Sequence, residues 1–154
     1  MLLVLQRVAH AHVEVEGTVR GAIGPGLMVL VGLIDDDTDA DLDWCAGKLL
    51  DLRIFEDNAG KMNLSLRDLP ATPSPGVLLV PNFTLAGDAR KGRRPSFDRA
   101  MKPERSEQMF AAFVDRVRAL AAGIAVQTGV FRTHMRVTLL NDGPVTLLLN
   151  SRER

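Results

Sequence analysis

A chain of 154 residues with zero formal net charge, 46% hydrophobic and 25% charged, is long enough to bury a sizeable core and is expected to form one domain, residues 1–154. Zero net charge argues against bulk, non-specific attachment to nucleic acid, although it leaves room for a local basic patch. The lone Cys45 excludes an internal disulfide and suits a reducing, cytoplasmic setting; Leu2–Leu5 is too short for a secretory signal core, and no stretch is long enough to span a membrane.

Leu2 to Val15 reads as a strand, Glu16-Gly17 as a turn and Thr18 to Ile23 as the returning strand. Gly24-Pro25-Gly26 makes a second turn before a buried strand, Leu27 to Leu33. The acidic run Asp35 to Asp43 leads into a helix through Trp44 to Leu52, since carboxylates suit a helix N-terminus. Arg53-Ile54-Phe55 and Met62-Asn63-Leu64 flank a turn at Asp57-Asn58-Ala59-Gly60, and Pro70 to Gly76 is a Pro-rich loop. Val77 to Val80 is a second buried strand. Pro103 to Ala122 is an amphipathic helix with Pro103 in its first turn and Gly123 at its end. Three short strands, around Val126, Val137 and Leu147, are expected to finish the chain. Many strands and two main helices in no strict βαβ order indicate the α+β class.

Several chemical signals fail on spacing. Asp35, Asp37 and Asp39 open like a calcium loop, but that loop needs Gly at its sixth position and Glu at its twelfth, where Ala40 and Ala46 stand. His10, His12, Glu14 and Glu16 alternate on one strand face, as metal ligands do. The other face carries Ala9, Ala11, Val13 and Val15, so the polar set is expected to face water, with no metal. Gly21, Gly24 and Gly26 do not match a dinucleotide fingerprint. Cys45 has no activating neighbour and reads as a small core residue. His134 reads as a residue of a solvated strand face.

Arg7 shares the parity of Leu3, Leu5, Ala9 and Ala11, so in a regular strand it points inward, where a guanidinium needs acceptors. A kink that carries it to solvent is the other reading. Asp142-Gly143-Pro144 poses a related question, because Pro144 lacks an N–H where the apolar strand Val145–Leu149 should begin to donate. The segment Pro81–Phe97 leaves a buried strand and gathers Arg90, Lys91, Arg93 and Arg94, either a phosphate-binding loop or a solvated one. Gln127–Met135 offers Phe131 and Met135, which either flank a base or belong to the core.

Together these segments resemble one family, the D-aminoacyl-tRNA deacylases, over nearly the whole chain. The resemblance is carried by Gln6-Arg7-Val8, Val15-Glu16-Gly17, Arg53-Ile54-Phe55, Gly60 to Leu64, Arg94-Pro95-Ser96-Phe97, Gln127-Thr128-Gly129 with Phe131 and Met135, and Asn141-Asp142-Gly143-Pro144-Val145-Thr146. The family's other signature, Ser-Gln-Phe-Thr-Leu, stands here as Pro81-Asn82-Phe83-Thr84-Leu85, so its first two positions depart. A related animal branch with Pro in that signature has a trans Gly-Pro and admits some L-substrates. This chain keeps the Phe83, Thr84, Arg7 and Gly-Pro-Val-Thr of the strict D-form.

The resemblance implies curved mixed sheets forming a partly open barrel flanked by two main helices, and a homodimer with tRNA as substrate and no cofactor. It implies hydrolysis of the ester joining a D-amino acid, or glycine, to the terminal adenosine. Gly143-Pro144, a cis peptide in the family, is placed in the partner's site, where its carbonyls exclude an L side chain, and Arg7 holds it. Backbone N–H groups near Phe83 and Thr84 face the oxyanion. Because a threonine nucleophile needs a base and the matching motifs hold none, the adenosine 2′-OH is expected to organise the water, with Thr84 in a positioning role. Phe131, Met135 and Phe97 are assigned to the adenine. Gln6, Pro81, Asn82, Leu85 and Asn141 complete the implied substrate-binding set, and the arginine-rich loop meets phosphates. The alternative class is a non-catalytic nucleic-acid-binding protein on the same scaffold. That branch carries a C-terminal extension, and an end at Arg154 favours the enzyme.

Overall fold

The computed structural model describes Met1 to Arg154. In chain order the elements are β1 (Leu2–Val15), β2 (Thr18–Ile23), β3 (Gly26–Gly32), α1 (Asp39–Asp51), β4 (Phe55–Glu56), β5 (Met62–Leu64), β6 (Gly76–Pro81), α2 (Pro103–Leu120), β7 (Ala125–Thr128) and β8 (Arg136–Asn150), with short 3₁₀ turns at Leu66–Asp68, Phe83–Ala86 and Ser151–Glu153. β1 and β2 are joined by Glu16 and Gly17, with φ of 50° and 75°. Two successive left-handed residues are the backbone a two-residue turn needs to reverse right-twisted strands.

β1 organises the sheet. Its first half pairs antiparallel with β3 and its second half with β2, while β8 runs antiparallel along its other edge. β3, β6 and β7 continue in parallel, giving the order β2-β1-β3-β6-β7. The sheet curls until β2 nearly meets β7: a Cβ on Gly21 would stand 2.7 Å from the carbonyl oxygen of Thr128, so only glycine permits this approach. The mixed sheet is nearly closed into a barrel, and α1 and α2 lie side by side, joined by Arg116 with Asp39 and Asp43.

β3 and β6 are apolar on both faces because both are covered. Leu27, Val29, Val31, Val77 and Leu79 face the helices, meeting Leu42, Leu49, Phe113 and Val117. Met28, Leu78 and Val80 fill the barrel with Val8, Ala11, Val13 and Ile23. Cys45 is buried on the helix side, and burial pushes its thiol up to about 12, so it stays protonated at neutral pH.

Two strand expectations need correction. Ala9 is exposed, not inward. Val8 pairs with Asn141 and His10 with Leu140, so β1 carries an extra residue at Ala9, a bulge that exchanges its faces. Leu3, Leu5 and Arg7 therefore point to the helix side, whereas Val8, Ala11 and Val13 point into the barrel. Likewise Val137 and Leu147 belong to one 15-residue strand, so the chain finishes with two strands and not three.

The acidic run is a helix start with a buried ion cluster. The Met1 ammonium is wholly buried and pairs with Asp37, and it also donates to Ser151 Oγ at 2.8 Å. Asp37 Oδ2 accepts from the Ile34 N–H at 2.8 Å, so this carboxylate is already committed to protein donors. Asp41 Oδ2 accepts from the N–H and hydroxyl of Thr38 at 2.9 and 2.8 Å, closing the first turn of α1. Burial raises the Asp41 pKa, but the Thr38 donors, with Ser151 and Arg152, outweigh it and bring it from 3.8 to about 2. A depressed carboxylate stabilises the fold above its unfolded pKa and loses that contribution as pH falls through the folded one. Asp41→Asn should cost about 1–2 kcal/mol at neutral pH in urea unfolding. The gap to wild type should close between about pH 4 and pH 2.

Candidate active site

β6 ends against β3 with Pro81 opposite Val31. The Asn82 N–H donates to the Val31 carbonyl at 2.8 Å, while the Gly129 N–H donates to the Leu79 carbonyl at 2.8 Å. Alternate residues thus face β3 and β7, which puts the Pro81 nitrogen on the β7 side, just past the end of β7 at Thr128. Its missing N–H leaves no ladder bond unmade.

The 3₁₀ turn Phe83–Ala86 follows, capped by Asn82. Asn82 Oδ1 accepts from the Thr84 N–H at 3.1 Å and is 2.5 Å from Thr84 Oγ1. An N–H can only donate, so the carboxamide atom facing it is oxygen, and the Thr84 hydroxyl must donate to that same atom. A carboxamide is no base, and nothing here activates Thr84 as a nucleophile. Of the two N–H groups expected to face an oxyanion, that of Thr84 is already engaged, whereas that of Phe83 has no backbone or side-chain acceptor.

Beside this turn opens a cavity of about 890 Å³. Pro81, Asn82, Phe83, Thr84, Phe97, Phe131 and Met135 all line it. Phe83 is 59% exposed and meets Phe97 edge-on at 5.1 Å, so much of its ring is free. Phe131 is backed by Phe110 at 6.5 Å, and Met135 Sδ accepts from the Val130 N–H at 3.3 Å. The far wall comes from the approach to α2: Met101, Lys102, Pro103 and Ser106. Sequence alone did not place these residues at a site. Pro103 marked a helix start, but nothing in its neighbours marked a cavity wall. His134 is exposed as expected but lies in the loop before β8 and not on a strand face, between this cavity and a smaller recess lined by Glu14 and Arg136. Leu85 does not line the cavity and packs under the turn against Gly32.

Gln6, Arg7, Asn141, Gly143 and Pro144 form a second locus outside that cavity. Gln6 pairs with Thr146 and Val8 with Asn141, so a two-residue step on β1 spans a five-residue step on β8. The surplus bulges out as Asp142-Gly143-Pro144, exposed and opposite Arg7. Pro144 therefore sits where no ladder N–H is required. The Gly143–Pro144 peptide is cis, as is Thr72–Pro73. Asn141 Nδ2 bridges the neck of the bulge to the Val145 carbonyl at 3.0 Å, and Gln6 Nε2 reaches Thr146 Oγ1 at 3.3 Å. Arg7 is 5% exposed and donates to the carbonyls of Ile54 at 2.7 Å and Asp142 at 3.1 Å. The carboxylates of Asp142 and Glu56 lie 3.5 and 3.6 Å away. Gly143 has φ of 128°, and a Cβ there would stand 2.8 Å from Val145 Cγ2 and 3.0 Å from Arg7 Nη2, so the bulge admits glycine alone.

The basic loop is less cationic than its sequence. Arg90 is bound to Asp88 through two nitrogens, and these hydrogen bonds hold the Asp88 carboxyl well below the usual carboxylate range. Asp88 and Ser96 also exchange backbone hydrogen bonds of 2.7 and 2.9 Å across its base. Lys91, Arg93 and Arg94 remain exposed on the loop.

The sequence and the fold that carry this cavity and the separate anchored loop are matched by known proteins. The family model described as D-Tyr-tRNA(Tyr) deacylase covers residues 4–150, and the chain belongs to that family of aminoacyl-tRNA hydrolases. A protein of Kosmotoga olearia named D-aminoacyl-tRNA deacylase is 51% identical over 154 residues, covering 100% of this chain and 99% of that one. One of the same name from Geobacter sulfurreducens is 49% identical over 154 residues, covering 100% and 97%. Among solved structures, the c-Myc DNA Unwinding Element Binding Protein superposes with a TM-score of 0.87 at 37% identity, covering 97% of this chain and 98% of that one. A probable eukaryotic D-amino acid tRNA deacylase shares the fold with a TM-score of 0.80 at 22% identity, covering 96% and 97%.

Arg7→Met keeps the length of the side chain but strands the Ile54 and Asp142 carbonyls. It should cost about 2–4 kcal/mol in urea unfolding, more than loss of an exposed charge. Amide exchange should quicken both in the Asp142 bulge and in the segment around Ile54.

Proposed function

We propose that this protein hydrolyses the ester between a D-amino acid, or glycine, and the terminal adenosine of tRNA, and spares the L-aminoacyl ester. The observation that carries the reading is the pairing of two loci: a cavity with a free aromatic ring and a free N–H at Phe83, and an outward bulge at Gly143-Pro144 locked by a buried arginine. In the proposed complex the adenine lies among Phe131, Met135 and Phe97, and the ester carbonyl oxygen meets the Phe83 N–H. The Thr84 hydroxyl is tied to an amide and is no nucleophile, so the adenosine 2′-OH orients the attacking water.

Chirality is read by backbone. The Gly143 and Pro144 carbonyls of one copy enter the cavity of a second and stand where an L side chain would go, while a D side chain or hydrogen fits. Two features support a second copy. The bulge lies outside its own chain's cavity, and β8 pairs only with β1 while exposing Leu140 at 54% and Leu148 at 77%. Lys91, Arg93 and Arg94 take acceptor-stem phosphates. No helix is long and apolar enough to cross a membrane, and the proposed setting is the cytoplasm, where charged tRNA is used.

A second reading, nucleic-acid binding without catalysis, is favoured by the 37%-identical structural relative, whose name describes a DNA-binding protein. The two separate in one assay. Purified protein incubated with matched D-, L- and glycyl-tRNA, without added metal, should release D-amino acids and glycine and leave the L-ester essentially intact. Equal loss of D and L esters refutes the chiral mechanism, and loss of none favours binding alone. Neutralising Arg93 and Arg94 together should weaken tRNA binding about equally for every amino acid and reduce its salt dependence, because phosphate contacts carry no information about the ester. Altered D/L preference at unchanged affinity would instead place the loop in the chiral site.

A further inference from the structure

We infer that Asn82 is a positioning residue for the hydrolysis, acting through Thr84: its carboxamide oxygen accepts the hydrogen bond of the threonine hydroxyl and so turns the Thr84 oxygen into an obligate acceptor facing the cavity. The inference rests on the hydrolytic reading above. Thr84 Oγ1 carries one hydrogen and two lone pairs. With that hydrogen directed at Asn82 Oδ1, 2.5 Å away, only lone pairs are left for a ligand. Thr84 lines the cavity and is exposed there. A water or a ribose hydroxyl at the reacting end has a proton to donate, and an acceptor of fixed direction orients it. A free hydroxyl rotor offers either its hydrogen or its lone pairs, and it is in the right state only part of the time. No proton leaves Thr84 in this arrangement; the carboxamide holds the rotor and takes no part in bond making.

The local geometry explains why asparagine suits this place. Its oxygen returns to the residue two positions on, the reach of an Asx cap, and it satisfies the Thr84 N–H at 3.1 Å with the same atom. The cap is itself fastened, since the Asn82 N–H is bound to the Val31 carbonyl at 2.8 Å. Standing where the family signature has Ser-Gln, Pro81-Asn82 lacks a hydroxyl and a backbone donor that the ladder does not need, and its asparagine clamps Thr84.

Two measurements test this. With D-aminoacyl-tRNA, Asn82→Ala should lower kcat about fivefold with KM nearly unchanged, the effect of one mis-set hydrogen bond. Asn82→Asp, which keeps an acceptor for both Thr84 donors, should restore kcat to within about twofold of wild type. Thr84→Val should lose a similar factor, and adding Asn82→Ala to it should lose little more, because the two act through one oxygen. Full additivity, or an Asn82→Ala enzyme with unchanged kcat, overturns the inference. The second measurement needs no substrate and stands whatever the reaction proves to be. In NMR of the free protein the Thr84 hydroxyl and amide protons should exchange slowly in wild type and in Asn82→Asp, and at solvent-limited rates in Asn82→Ala. Solvent-limited exchange in wild type overturns the clamp even if deacylation is confirmed.

Discussion

Arg7 sets the constraint on which the rest depends. A guanidinium cannot be deprotonated at any relevant pH, and burying it without acceptors costs several kcal/mol. Here it is 5% exposed beside an apolar core, and its nearest hydrogen-bond acceptors are two backbone carbonyls, Ile54 and Asp142. The first belongs to the segment entering the β4–β5 hairpin, the second to a bulge in β8. One side chain on β1 thereby fixes two segments remote from it in sequence. The bulge exists because the β8 register slips opposite Arg7, and that slip in turn lets a proline lie within a long strand. Gly143 completes the set, since a side chain there would collide with the arginine and with Val145.

The cavity depends on a different device with the same logic. β6 carries the chain to the barrel rim, where β7 stops short and Pro81 can replace a donor. Asn82 then turns the chain into a 3₁₀ turn, leaving the Phe83 N–H and much of its ring uncovered. Both loci put backbone groups forward and use side chains as anchors. That arrangement suits a discrimination by shape, because a backbone held by buried hydrogen bonds yields less than a side chain with free rotamers.

Much of this was legible in the residues. Glu16-Gly17, Pro103 and Gly123 punctuate their elements by backbone conformation, so the turn and α2 were placed within a few residues. The apolar runs Leu27–Leu33 and Val77–Val80 read as buried strands because both of their faces are covered. Alternation with Leu3 and Leu5 offered an inward Arg7 as one of two readings, and the structure decides for it; its acceptors were not legible, because a backbone carbonyl has no sequence signature. The Ala9 bulge was hidden for a related reason, as alanine fits either face of a strand and carries no Gly or Pro mark. It moved Ala9 outward and exchanged the faces of β1. The two-residue departure at Pro81-Asn82 was visible as a departure, but its consequence lay in a contact two residues on. Arg90 counted as a free cation until Asp88 was seen to hold it. The cavity wall at Lys102 and Ser106 comes from tertiary placement alone.

The central claim is that the loop fixed by Arg7 in one copy completes the cavity of another, and subunit complementation tests it most directly. One variant has a disabled bulge, Gly143→Val, and is expected to cleave the L-ester as well as the D-ester; the other has a blocked cavity, Met135→Arg, and is expected to be inactive. In the heterodimers that the proposed assembly would give on mixing, the intact cavity of the first meets the intact bulge of the second. The account expects cleavage of the L-ester to fall as the inactive variant is added in excess, in proportion to the heterodimer formed, while hydrolysis of the D-ester persists. Heterodimers that form and go on cleaving the L-ester would mean that the bulge serves its own chain or neither, and would contradict the account.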